Sequence, residues 1–251
     1  MSRRGNLELQ QQFADAGLNA TIVASPLFGR GENASKIFQM TIKRRREHRR
    51  KPKVEYFEIF PGDAENDVRV IDTSKHFKQV LLTVHEPRRK FIVVDYNFKT
   101  GKKREITRVA PDWQRTYLMG MDQAHLFIAE LPRRVSTVEN AHDVLKPADA
   151  KRSKAAKRQG EWFFIPATAD EERLIDGPDA VIEHVAAIPG NSRNQHFAEE
   201  IVKIEKMVFV RGKITHVDHR TLVLKRWCRV ERNLEHRSGS VNGFSRVGWI
   251  D

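Results

Sequence analysis

The sequence predicts an α+β, predominantly β fold, built as two small β-rich, barrel- or sandwich-like domains with a short helix before the linker that joins them. Three observations carry that expectation. Short runs rich in β-branched and aromatic residues recur along the chain, each closed by turn formers. The helix-and-strand alternation of a parallel α/β sheet is missing. One stretch, 146–158 (KPADAKRSKAAKR), is small, polar and basic, with no large apolar side chain to anchor it in a core. At 251 residues, 39% hydrophobic and 31% charged, the chain has the composition of a folded protein and length enough for two cores.

Residues 1–35 are polar and Gly/Asn-rich without a sustained period, and read as a mobile N-terminal arm. A basic β-rich domain follows over 36–146, with strands at IFQMTI, at VEYFEIF before Pro61-Gly62-Asp63, at VRVID and at KQVLLTVH before Pro87. FIVVDYNF and KREITRVA flank the short Gly101-bearing connection and predict a β-hairpin. Residues 117–131 fit either two strands broken near Gly120 to Gln123 or one helix. STVENAHDVLKP predicts a short helix, because Ser136 or Thr137 can cap it, Glu139 lies in its first turn and Pro147 follows its end. A basic linker is expected over 147–157.

The second β-rich domain, 158–251, opens on the buried-strand pattern WFFIP, and 167–200 reads as a long turn-rich loop. Strands are expected in IVKIEKMVFVRGKITH, TLVLKRWCRVERN and the tail GFSRVGWID. Cys228, the only cysteine, excludes an intrachain disulfide and every multi-cysteine zinc module, and beside Trp227 it reads as a buried thiol. No long apolar run or secretory pattern is present, so no membrane partner and a cytoplasmic location are expected.

The net charge is +12 and is uneven: residues 1–150 hold 27 Lys+Arg against 19 Asp+Glu. The run 43–53 places eight basic residues among eleven, namely Lys43, Arg44, Arg45, Arg46, Arg49, Arg50, Lys51 and Lys53, and Lys102, Lys103 and Arg104 add a second group. Such clusters reward a phosphate backbone through counterion release and bidentate guanidinium contacts. Tyr56, Phe57 and Tyr96 could stack on unpaired bases where they face outward. The leading expectation is a non-enzymatic nucleic-acid-binding protein without a cofactor, RNA being favoured over DNA because a β-rich basic surface suits single strands. A structural or interaction protein that meets an acidic partner is an alternative. A charge run is equally the mark of a solvated loop.

Five of the ten histidines follow residue 180. His196 lies in a polar segment with Glu199 and Glu200, and His216-Val217-Asp218-His219 falls between two strands. With one cysteine in the chain, imidazole and carboxylate are the ligands left, and His196, Glu200, His216 and His219 form a candidate site for one divalent metal, Zn, Fe or Mn. This supports a metal-dependent hydrolase or nuclease using His219 and Asp218 as the alternative function. The bland reading of HVDH is a polar β-turn with solvated histidines. Asp218-His219, Asn233 and His236 resemble the His-Asn-His nuclease motif, although TLVLKRWCRV between them reads as one strand. No GxSxG elbow, phosphate loop, GxGxxG fingerprint or HExxH pair occurs.

Arg158-Gln159-Gly160-Glu161 leading into WFFIP, and HVDHRTLVLKRWCRVERN near the end, resemble the opening RQGD strand and closing HxEH-plus-strand of a family of small, uncharacterised bacterial and phage β-proteins. The likeness covers 158–233. This chain has Glu161 for the Asp and Asp218 for the Glu, and NQHFAEE stands where the family has a Gly-His-x-His segment. The resemblance implies a compact β-domain.

Overall fold

The computed structural model describes residues 3–29, 32–46, 53–96, 99–190, 195–236 and 246–248. The described residues divide into two compact units, one made of those within 3–121, 126–141 and 235–248, the other of those within 122–125 and 142–234.

In the first unit, α1 (Arg3–Asp15) is followed by β1 (Ala20–Ile22), α2 (Glu32–Lys36), β2 (Gln39–Arg45) and β3 (Val54–Phe60). The expected arm is therefore a helix and a strand. Leu9 and Phe13, one turn apart, and Ala16 bury a narrow apolar stripe among polar neighbours, so a face too short to show as a period still anchors the segment. Gly17, at φ +76°, ends the helix, with the Leu18 N–H donating to the Phe13 carbonyl at 2.9 Å. β1 pairs parallel with β3, which pairs antiparallel with β2.

β4 (Asp67–Ser74), β5 (Gln79–Glu86), β8 (Trp113–Asp122) and β9 (His125–Glu130) form a second sheet in the order β4-β5-β8-β9. Residues 117–131 are thus two strands. Both sheets and α1 contribute to one core that includes Phe13, Met40, Phe57, Val84, Tyr117 and Met119. The expected hairpin is present as the two-stranded ribbon of β6 (Arg89–Tyr96) and β7 (Lys103–Ala110). Ile92, Val94, Tyr96 and Val109 are exposed on one face of it, interleaved with Lys90, Lys103, Glu105 and Thr107. The expected helix is α3 (Val138–Leu145), with Thr137 Oγ1 accepting from the Asn140 N–H at 3.2 Å; the division between the units falls inside it.

The second unit holds α4 (Ala148–Arg152), β10 (Lys157–Gln159), β11 (Trp162–Pro166), α5 (Ala169–Ile175), β12 (Ile182–Ala187), β13 (Phe197–Ile204), β14 (Met207–His216) and β15 (His219–Arg232). Its strands make one antiparallel sheet in the order β10-β11-β15-β14-β13-β12. Trp162 and Phe164 enter one core with Ala198, Ile214 and Leu224, while Phe163 and Ile165 pack with Ala150 on the other face. A strand covered on both faces reads as an unbroken apolar run, which is why WFFI shows no alternation.

Three expectations change here. The linker 147–157 contains α4 and the start of β10, anchored by the small buried Ala150 and by Asp149 pairing with Arg229. The loop 167–200 contains α5 and β12. Thr168 and Glu171 form a reciprocal capping box that opens α5, so the TxxE spacing was a readable start signal. The tail also returns to the first unit, where β16 (Val247–Gly248) pairs parallel with β2. Arg246 seats it by pairing with Glu86 and stacking on Trp113, 4.0 Å from the ring centroid. Among the described residues, no helix is long and apolar enough to cross a membrane.

Candidate metal centre

β14 and β15 are joined by the two-residue turn Val217-Asp218, which makes His216 and His219 cross-strand partners. On the other side of β14, Phe197 pairs with Thr215, so His196, one residue earlier, meets His216. Side chains two apart share a sheet face, and His196 and His216 continue the face carrying Ala198 and Ile214. Strand pairing, with a register shift between Ile214 and His216 that sets His219 and not Arg220 opposite His216, thus lays three imidazoles in a row at one end of the sheet. Their ring centroids lie 4.2 Å (His196 to His216), 4.7 Å (His216 to His219) and 5.6 Å (His196 to His219) apart. One ligand atom from each lies within 4.8 Å of the others.

The environment disfavours charge on the His196 and His219 rings. His196 is 2% exposed, and neither of its ring nitrogens has a hydrogen-bond partner; the buried Nδ1 of His219 also has none. Burial, then the neighbouring His216 and His219, push the His196 pKa down from 6.5 to about 3. Burial also lowers that of His219, against the opposing pull of Asp122, Glu161 and Asp218. The neutral imidazole is the form that binds a metal ion. The Asp218 N–H donates to His216 Nδ1 at 3.1 Å, which puts the proton of neutral His216 on Nε2. Coordination through Nε2 would move that proton to Nδ1 and release the turn amide.

Gly160 closes one side of the cluster. It stands at φ +58° in the β10–β11 turn, and a Cβ there would lie 2.8 Å from His219 Nε2 and 3.5 Å from His196 Cε1. Glycine is needed both for the left-handed backbone and for this close approach. Asp218 Oδ1 lies 3.5 Å from His125 Nε2, and Gln159 Nε2 donates to the Arg220 carbonyl at 2.6 Å. Asp122 and His125 were not singled out from the sequence, and Gln159 and Gly160 were named only as part of the RQG run before WFFIP, with no role at the site.

Glu200, expected as a ligand, is not in the cluster. Its carboxylate accepts from Arg211 Nε and Nη2, the latter at 3.1 Å, and Arg211 lies over Trp227. The Arg211 guanidinium holds the Glu200 pKa below its usual range. The reason is a β-bulge between Ala198 and Glu200, opposite Gly212 at φ +83°, which shifts the inward-outward alternation by one residue. His236 belongs to the first unit, and β15 runs unbroken from His219 to Arg232, unlike the element that carries a His-Asn-His site. Cys228 is buried, and burial raises its thiol pKa.

The basic residues lie on two sheets of the first unit. Lys43, Arg44 and Arg45 form the exposed end of β2, followed by exposed Arg46. Arg44 Nε pairs with Glu55 at 2.8 Å, Lys43 Nζ lies 3.9 Å from Glu58, and Arg45 stacks on Tyr56. Phe57 is fully buried and presents no platform, whereas Tyr96 is exposed opposite Lys103. Lys53, Lys102, Lys103 and Arg104 are exposed. Arg49, Arg50 and Lys51 lie outside the described residues. Comparison with protein-family models, with curated proteins and with solved structures finds no match for this chain.

Proposed function

We propose that this protein is a metal-dependent hydrolase of phosphate esters, with one divalent ion, Zn²⁺ by preference, held by His196, His216 and His219. The carrying observation is the buried His196 ring with both nitrogens unpartnered beside two further imidazoles. An unpaired buried polar group costs about 1–3 kcal/mol, and a ligand that takes the imidazole lone pair removes that cost. A solvated polar turn accounts for the exposed Val217 and for the Asp218 amide, but not for His196.

Three imidazoles are the protein ligands of one catalytic zinc class, and the fourth position then serves to activate water near neutral pH. The charge of +12 favours an anionic substrate, and a nucleic-acid phosphodiester matches it. The test is metal content of the purified protein, followed by Zn²⁺ titration and a phosphodiesterase assay on fluorescent single-stranded RNA. One equivalent of metal, lost in His216→Ala together with cleavage, supports the reading; absence of stoichiometric metal overturns it.

The second reading is non-catalytic RNA binding, and the exposed strand ends of the first unit favour it. Exposed Tyr96 with Lys103 on one ribbon face supplies a stacking surface beside cations, and Lys43, Arg45 and Arg46 supply phosphate contacts. RNA retained without cleavage, and weakened by Lys43→Ala with Arg45→Ala and Arg46→Ala, would favour it over hydrolysis.

A further inference from the structure

The first unit contains a cavity of about 230 Å³, remote in sequence from the histidine row. Arg115, Arg133, Arg134 and His236 line it, together with Gln114 and Thr116. Arg115 is held in place: its Nε donates to the buried Glu130 carboxylate at 2.9 Å and its Nη1 to the Gln114 carbonyl at 2.8 Å. The Gln114 side chain in turn accepts from Arg134 Nη1 at 2.9 Å. His236 is placed by its N–H, which donates to the Glu130 carbonyl at 2.9 Å. Arg133 has no hydrogen bond or ion pair among the described residues, and the buried Thr116 hydroxyl has no partner.

Three arginines thus line one cavity whose lining, among the described residues, holds no carboxylate, and Arg115 is already engaged by Glu130. Like charges gathered in this way repel unless an anion joins them, and the planar guanidinium fork suits the oxygens of a phosphate in particular. The Thr116 hydroxyl is one more polar group in the wall that a ligand oxygen or a bridging water can satisfy. The volume is below that of ordinary drug-sized pockets, about 300–1,000 Å³, so it suits an anionic head group with little attached bulk.

We infer that this cavity is a binding site for a phosphate monoester, the terminal phosphate of a nucleotide, with Arg133 and Arg134 as its principal contacts and Arg115 fixed behind them. The site is independent of the metal centre and survives if the hydrolase reading fails. A single phosphate end group, unlike the internal phosphates of a strand, presents three free oxygens to such a cluster, so recognition is of an end and not of a backbone.

The experiment is calorimetric titration of the full chain, kept metal-free with chelator, with four probes: inorganic phosphate, adenosine monophosphate, and a six-nucleotide RNA bearing either a 5′-phosphate or a 5′-hydroxyl. Arg133→Ala with Arg134→Ala is the test variant. Both side chains are exposed, so the fold should tolerate it, and an unchanged thermal midpoint would confirm that. Lys43→Ala with Arg45→Ala controls for general surface charge. The 5′-phosphorylated strand binding at least tenfold tighter than the 5′-hydroxyl strand, with the preference lost only in the Arg133/Arg134 variant, supports the site and identifies a strand end as its ligand. Phosphate or the mononucleotide binding with the same variant dependence, and no gain from the strand, supports the site and identifies a small molecule. Binding that ignores the terminal phosphate, or that the control variant weakens as much as the test variant, overturns it.

Discussion

Two of the buried polar clusters among the described residues differ in one respect. In the first unit Glu86 and Arg246 are each 4% exposed, yet every contact is made. Glu86 accepts from the Phe38 N–H at 2.6 Å and from Arg246 at 2.6 and 2.7 Å, and Arg246 stacks on Trp113. In the second unit His196 is buried to 2% with both ring nitrogens unpaired. Burial of a polar group is therefore no sign of a binding site by itself. The first cluster is complete and holds the tail to its sheet, while the second has donor and acceptor capacity that only something added from outside can use.

The largest test of this contrast is a pair of substitutions. Glu86→Ala leaves the Arg246 charge buried and alone, and should cost about 3–5 kcal/mol in denaturant unfolding. His196→Leu removes unsatisfied groups at a similar size, so the metal-free protein should lose less than about 1.5 kcal/mol. Equal losses would erase the distinction between the two clusters. Next in size is the metal itself: Zn²⁺ at a hundred times its dissociation constant should add about 2.7 kcal/mol to stability, seen as a raised thermal midpoint, with no rise in His216→Ala or His219→Ala.

The pH response separates the clusters further. With the His196 pKa at about 3 in the folded protein and near 6.5 unfolded, the unfolded chain binds the extra proton between those values. Stability of the metal-free protein should therefore fall as pH drops through this window, by about 1.4 kcal/mol per pH unit from this one group. His196→Leu should flatten that slope in urea melts taken between pH 6 and pH 4. The smallest effect is expected for Gly160→Ala, at about 1–2 kcal/mol from the left-handed backbone alone. Because the new Cβ also presses on His219 Nε2, Zn²⁺ affinity should drop in parallel. A variant that loses stability but keeps full affinity would show that the turn does not shape the site.

Much of the fold was legible because it rests on local signals. The ribbon over residues 89–110 followed from alternation around Gly101, and α3 from a capping residue and a terminal proline. The segments misread as arm, linker and loop share a cause. Each is held by one or two small or partly apolar anchors, such as Phe13, Ala150 or Ile175, whose worth depends on a partner elsewhere in the chain. Of the residues named as ligands, His216 and His219 were readable as a pair from the two-residue turn between them. His196 joins them through the pairing of β13 with β14, and Glu200 leaves them because one bulged residue reverses which side of the strand faces the cluster.

By itself the sequence determined the β-rich class, the basic balance and the pool of ligand types, since one cysteine in 251 residues leaves imidazole and carboxylate as the donors. These are properties of composition and of neighbours a few residues apart. Only the tertiary structure decided which histidines converge, which arginines surround a cavity and which buried charges are already paired. The physical reason is that side-chain proximity across a sheet depends on register, and register is set by pairing between distant segments, where a shift of one residue turns every side chain to the other face.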